Sequence, residues 1–372
     1  MKIARVEPIS VAYQEPNDNH GTRYLTLCRI ETTDGVVGWG EAVTMWPEAS
    51  RATEAVIHGL APLIHHKDPV DNELLWEQMR DHAWWYGHNG GLAAFAISAI
   101  DMALWDLKGK LLSQPLINLL GGARRKKLPV IASSLAFHSF DDEILRQADY
   151  VERGYQGVKV GIGKPGPTRL GEEVERDIHF VQRLREACGD NAELVIDRSY
   201  ATRWDMGTAM RRIEGFTPFR LRWMEEPLEP QEVDGLRRLR DRGSIMIGTG
   251  EREWDPYSFA QIIRSGAVDV VGCDPARACG ITGARRVIHE VESAQVWFNA
   301  HAWSSAIGTA ASLALALSTN RSLVFELKPL ENPMQHELID SPLVHHGGEI
   351  YAPNTPGLGI AVRQAVVQRY RF

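Results

Sequence analysis

A (β/α) barrel preceded by a smaller α+β domain is the fold this sequence predicts, from three observations. At 372 residues with 44% hydrophobic content, the chain exceeds what one core usually serves, so a large domain with a smaller companion is expected. Near residue 128 the patterning changes. Before it lie alternating and then helical stretches; after it, short apolar runs ending in polar or charged residues alternate with amphipathic helices. Those runs number eight, and eight β/α units are what a closed parallel barrel needs.

In chain order, residues 2–13 and 24–40 alternate apolar and polar side chains, with Asp34-Gly35 as a hairpin signal, and read as a small antiparallel sheet. From about Ser50 to Leu120 the period is helical, and 91–111 reads as a buried helix. Gly121-Gly122 and the basic run Arg124 to Lys127, a solvated turn, mark the exit from this first unit, placed at 1–123. The eight runs are 129–137, 157–161, 192–197, 221–226, 244–251, 268–274, 295–301 and 322–326, within a barrel placed at 124–351. The turn-rich stretch 353–362 is expected to fold back, so that about 352–372 completes the first domain.

Bulk chemistry excludes several functions. A net charge of −7, with both signs scattered, offers no basic stripe for nucleic acid and no polybasic tail for anionic lipid. The N-terminus lacks a secretory apolar region, and no stretch approaches the roughly 20 apolar residues of a membrane span. A cytoplasmic protein without nucleic-acid or membrane partners is expected. Cys28, Cys188, Cys273 and Cys279 form no CxxC pair and read as reduced thiols in or near cores.

Barrel active sites lie at the C-terminal strand ends, so the last polar residue of each run is a candidate for one cavity. Six follow one another at 23 to 28 residues, one β/α unit each: Asp197, Glu225, Glu251, Asp274, His301 and Glu326. A single carboxylate after a strand is commonly the N-cap of the next helix, but six consecutive strands tipped this way resist that explanation. Asp197, Glu225 and Glu251 would repel one another without a cation between them; an all-oxygen set with open positions suits one Mg²⁺, with Mn²⁺ as substitute. Glu226 points to the other side of its strand by alternation and is left out of this set. Asp274 can orient His301 and raise its basicity, making the pair a general base. Glu326 would sit beside a bound carboxylate and, if protonated, donate to the oxygen of an enediolate.

These residues resemble the mandelate racemase subgroup of the enolase superfamily. The matching motifs are Trp39-Gly40-Glu41, Val158-Lys159, Ile196-Asp197, Met224-Glu225-Glu226-Pro227, Gly250-Glu251, Asp274 with Gly280-Ile281-Thr282-Gly283, His301, Glu326 and Pro356-Gly357-Leu358-Gly359, spread over essentially the whole chain. The resemblance implies a modified (β/α)7β barrel of the TIM type, Mg²⁺ on the three carboxylates, Asp274–His301 as the base, Lys159 on the substrate carboxylate, and an N-terminal cap whose loops choose the substrate. Two positions depart from the subgroup. Lys159-Val160-Gly161 stands where Lys-x-Lys is usual, removing the second base, and Asp197-Arg198-Ser199 replaces Asp-x-Asn, leaving Ser199 to fill part of the Asn role. Lys164, in the loop beyond, reads first as a solvated lysine, with reach back into the cavity as the alternative.

With His301 as the single evident base, dehydration of an acid sugar to a 2-keto-3-deoxy acid through an enediolate is favoured over racemisation, epimerisation or cycloisomerisation. Polar residues of the loop 14–23 (Glu15, Asn17, His20, Arg23) could hydrogen-bond a polyol, and Trp46, Trp84, Trp85 and Tyr86 could shape another wall. His20, Trp46 and Ser199 are accordingly the candidate substrate contacts, and a homo-oligomer is expected. Two other readings compete. Gly161 to Gly166 satisfies GxGxxG, as in an NAD-dependent oxidoreductase, but Pro165 interrupts the turn and Asp197 lies 31 residues past Gly166, where a ribose-binding acid is expected about 20 residues on. A non-catalytic metal-binding barrel would leave the Asp274–His301 pair incidental.

Overall fold

The computed structural model describes residues 1–87 and 90–372. The chain opens with an antiparallel sheet of β1 (Ile3–Glu15), β2 (Gly21–Thr32) and β3 (Val37–Ala42) in that order. Gly35, at φ +81°, makes the tight turn that Asp34-Gly35 signalled. Helices Pro47–Ile64 and Leu92–Leu111 pack against this sheet, and Asn72–His82 packs against those two helices. Leu92–Leu111 is buried nearly throughout, as its apolar sequence requires. It lies close enough to β3 that a Cβ on Gly40 would overlap the carbonyl oxygen of Ala99, which explains the glycine beside Trp39.

All eight apolar runs become strands of one parallel sheet: β4 (Leu128–Leu135), β5 (Gly157–Ile162), β6 (Glu193–Arg198), β7 (Trp223–Glu225), β8 (Met246–Thr249), β9 (Val270–Cys273), β10 (Trp297–Ala300) and β11 (Phe325–Leu327). Neighbours pair in chain order from β4 to β10, β11 pairs back onto β4, and a parallel bridge between Phe298 and Ser322 brings the ends together. Parallel pairing forces a crossover after each strand, supplied by seven helices from Phe140–Glu152 to Ala306–Leu317. Among the described residues no such helix follows β11. A short β12 (Glu349–Ile350) pairs antiparallel with β4 instead.

Ile131, Val195, Trp223, Val270 and Val324 form a compact apolar cluster of residues from the barrel strands and the approach to β11, while a larger core takes in the helices and the N-terminal sheet. The C-terminal segment returns to the first unit: Leu358 N donates to Asp106, Leu116 N donates to the Gly357 carbonyl, and Val11 bridges Arg371. All four cysteines are free and buried. No helix among the described residues is long and apolar enough to cross a membrane. The GxGxxG segment leaves β5 as a loop, and the next helix begins only at Val174, so these glycines do not open a helix as a dinucleotide site requires.

Candidate active site

Strand register sets the site. Asp197 pairs with Glu225 across β6 and β7, and Glu225 with Gly248 across β7 and β8, so acids from successive strands arrive at one level. Glu251, Asp274 and His301 lie one or two residues beyond their strand ends. Ligand oxygens of Asp197, Glu225 and Glu251 all lie within 4.8 Å of one another. Lys159 Nζ sits among the acids, 2.8 Å from Glu225, 3.2 Å from Asp197 and 3.3 Å from Glu326. One ammonium does not balance so many carboxylates. Burial, partly offset by Lys159 and reinforced by Glu225, Glu251 and Glu326, pushes the Asp197 carboxyl up to about 8. The Trp223 indole donates to Glu225 Oε2 at 3.1 Å, yet Glu225 Oε1 is buried with no donor among the described residues. Converging carboxylates, excess negative charge and an orphaned acceptor fit a bound metal cation.

His301 Nδ1 lies 2.7 Å from Asp274 Oδ2, while Nε2 is 3.4 Å from Glu251. Asp274 is fixed in turn by the Ala276 amide at 2.8 Å. Burial opposes the imidazolium, but the hydrogen bond and charge of Asp274, with the charge of Glu251, outweigh it and lift His301 to about 9. Glu326 is ringed by donors. It accepts from Ser133 Oγ at 2.8 Å, Asn299 Nδ2 at 2.7 Å and Lys159. Burial alone would raise its pKa, but Lys159, His301 and these two donors hold it below the usual carboxylate range. Trp303 Nε1 donates to Ser133 at 2.9 Å and extends the chain to the cavity wall. Ser133, Asn299 and Trp303 escaped the sequence reading because an isolated polar residue in a strand, or an indole beside His301, carries no spacing signal.

Above these groups opens a cavity of about 410 Å³ lined by Lys159, Asp197, Glu251, Asp274 and His301 from the barrel and by Arg23, Val43, Met45 and Trp46 from the cap. Trp46 and Ser199 line it as expected; His20 does not, being exposed in the hairpin turn at φ +58°. Glu15 and Asn17 are also turned away from it, bound to Lys328 and to the backbone of Leu330. Of the loop 14–23, Arg23 reaches the cavity. Trp84, Trp85 and Tyr86 are exposed and outside the lining. Lys164, for which solvent was the first expectation and the cavity the alternative, lines the cavity. Arg198 is fully buried and reaches the Glu226 carbonyl at 2.6 Å, the Thr202 carbonyl and Glu229, away from the cavity. Glu226 pairs with Arg252, consistent with its omission from the carboxylate cluster.

Fold and site together define a capped parallel α/β barrel with a carboxylate cluster able to hold a metal at its strand ends. Residues 3–121 match the family model for the mandelate racemase / muconate lactonizing enzyme N-terminal domain, and 143–366 match the enolase C-terminal domain-like model. The chain belongs to the enolase superfamily of enzymes, in its mandelate racemase subgroup. It is 30% identical over 384 residues to the D-gluconate dehydratase of Thermoproteus tenax, covering 99% of this chain and 74% of that protein. The arabinonate dehydratase of Saccharolobus solfataricus is 28% identical over 351 residues, covering 93% of this chain and 90% of that one. The crystal structure of the 3,6-anhydro-D-galactonate cycloisomerase from Zobellia galactanivorans superimposes with a TM-score of 0.90 at 28% identity, covering 100% of both chains.

Proposed function

We propose that the protein dehydrates an acid sugar, with Asp274–His301 as its acid/base pair. The observation that carries this reading is the 2.7 Å Asp274–His301 contact on a cavity wall, with Gly161 in the same lining offering no side chain for a second base. Asp197, Glu225 and Glu251 would hold the ion, and Mg²⁺, or Mn²⁺ in its place, would offset the charge that grows on the substrate carboxylate. Lys159, buried beside them, orients that carboxylate and adds a fixed positive charge. Neutral His301 Nε2 takes the α-proton, and the C–H electron pair becomes the double bond between the carboxylate carbon and the α-carbon of an enediolate, a pair that moves to the α–β bond as the hydroxyl leaves. The β-hydroxyl departs as water with a proton returned by His301, and the enol tautomerises to the 2-keto-3-deoxy acid. The gluconate and arabinonate dehydratases among the relatives support this chemistry.

Cycloisomerisation is a second reading, favoured by the full-length likeness to the Zobellia enzyme. It begins with the same proton abstraction but releases no water. Screening acid sugars for 2-keto product separates the two. With a substrate in hand, His301→Asn should abolish exchange of the α-proton with D₂O and leave Mg²⁺ binding intact, since Asn keeps the shape and cannot act as a base. Exchange that survives in this variant would overturn the one-base mechanism.

A further inference from the structure

The cations that face the cavity differ in one respect. Lys159 is answered by three carboxylates, Arg23 by Asp18 at 2.6 Å, and Arg252 by Glu226 and Glu229. Arg277 stacks on the Trp254 ring at 3.7 Å and donates to the Arg252 carbonyl. Lys164 has no carboxylate within ion-pair distance among the described residues; its ammonium lies 5.2 Å from the centre of the Tyr200 ring. Its position is built. Gly163, at φ +90°, packs so tightly on Thr202 that a Cβ would overlap its side chain, and Ser199 N donates to the Ile162 carbonyl at 2.8 Å, tying the loop after β5 to the loop after β6. Holding an unanswered ammonium in a partly dehydrated cleft is unfavourable, and burial lowers its pKa. Lys164 shares the cavity lining with Arg23 and Trp46 from the cap and with Asp197 and Glu251 from the barrel, placing it between the cap and the cavity floor.

We infer that Lys164 receives a second carboxylate, so that the substrate is an aldarate, a sugar acid ionised at both ends, and not a singly charged aldonate. This rests on the dehydratase reading. One carboxylate lies by Lys159 at the floor, and the other reaches Lys164 beneath the cap. Lys164 is thus a specificity-determining residue.

Binding is measured by calorimetry with Mg²⁺ in the non-reacting His301→Asn protein, using matched pairs: D-glucarate with D-gluconate, and galactarate with D-galactonate. One aldarate should bind about 30- to 100-fold more tightly than its aldonate, the range of a charge-assisted hydrogen bond. Adding Lys164→Gln should erase that difference by weakening the aldarate alone, and Lys164→Arg should retain most of it. Equal affinity within both pairs would overturn the inference, as would an equal loss for aldarate and aldonate in Lys164→Gln. In the otherwise unaltered enzyme, Lys164→Gln should raise KM for the aldarate with little change in kcat. A fall in kcat for both acids would instead make the lysine a proton-handling group. Absence of 2-keto product from all four acids with the unaltered enzyme would count against the dehydratase reading and leave the binding comparison to decide the role of Lys164.

Discussion

Glu225 meets opposing demands within one side chain. Its Oε2 takes the Trp223 indole and the Lys159 ammonium, while its buried Oε1 takes nothing among the described residues. A cation bound only by the folded state adds RT ln(1 + [L]/Kd), about 2.7 kcal/mol at a hundredfold excess over Kd. Saturating Mg²⁺ should therefore raise the melting temperature of the parent by several degrees over the chelated protein, and Glu225→Gln should lose most of that rise. Identical shifts in the two proteins would remove Glu225 from the ion's ligands. At this scale the sequence was informative where chemistry coincides with strand ends, as for Asp197, Glu225, Glu251, Asp274 and His301. It was uninformative where a role depends on what a side chain meets. Glu326 is an acceptor because Ser133, Asn299 and Lys159 surround it, and Lys164 lines the cavity because its loop is pinned to Thr202.

Between elements, two buried acids fasten the cap to the barrel. Glu41 on β3 accepts from the amide of Ser305 at 3.0 Å and from its hydroxyl, at the N-terminus of helix Ala306–Leu317. Asp101, on helix Leu92–Leu111, accepts from Thr282 N at 2.9 Å and Thr282 Oγ1 at 2.6 Å on helix Gly280–Ala294. Burial, against these hydrogen bonds, lifts Asp101 to about 7. Its unfolded value is about 3.9. Between those values the folded state keeps a proton that the unfolded chain has released, so stability falls as pH rises from about 4 to about 7. Below that window the contribution is complete. Asp101→Asn should remove this slope, at most about 1.4 kcal/mol per pH unit. Urea unfolding at pH 5, 6 and 7 should show the variant gaining on the parent at each step; parallel stabilities would contradict the assignment. Periodicity made the helix itself legible, but not the partner that Asp101 meets 181 residues away.

Across the whole molecule, the buried Glu15–Lys328 pair at 2.7 Å joins the cap hairpin to the segment after β11, with Lys328 also donating to the Ser304 carbonyl. Lys328→Met would leave a dehydrated carboxylate uncompensated, at a cost of about 3–5 kcal/mol. Adding Glu15→Gln should restore a large part of it, and a double-mutant cycle by chemical denaturation measures the coupling. Additive losses would show that the two charges act independently. This pair also explains why the loop 14–23 was misread. Polar residues after a strand look like a solvent-facing rim, and the partner that draws Glu15 inward lies 313 residues away. The barrel was legible for the opposite reason: each β/α unit announces itself within some 25 residues through local periodicity. The exposure of Trp84, Trp85 and Tyr86 follows from no local pattern.

Gly161 also has a consequence for how this catalyst can diversify. A Cβ placed there meets Leu135 Cδ2 at 2.5 Å, the free end of a rotatable side chain, while the next neighbour, the Ser134 carbonyl, stands at an ordinary 3.5 Å. A larger residue therefore demands a rotamer change and no rebuilding of the strand. Descendants with a base on each face of the substrate lie one substitution away, in a mutational neighbourhood that the barrel leaves open. A single base reaches one face of the α-carbon and so serves one epimer; Gly161→Lys should yield a protein that also washes deuterium into the α-position of the other epimer, as followed by proton NMR. Exchange confined to the parent's epimer would mean that Leu135 does not yield, and that the route is closed.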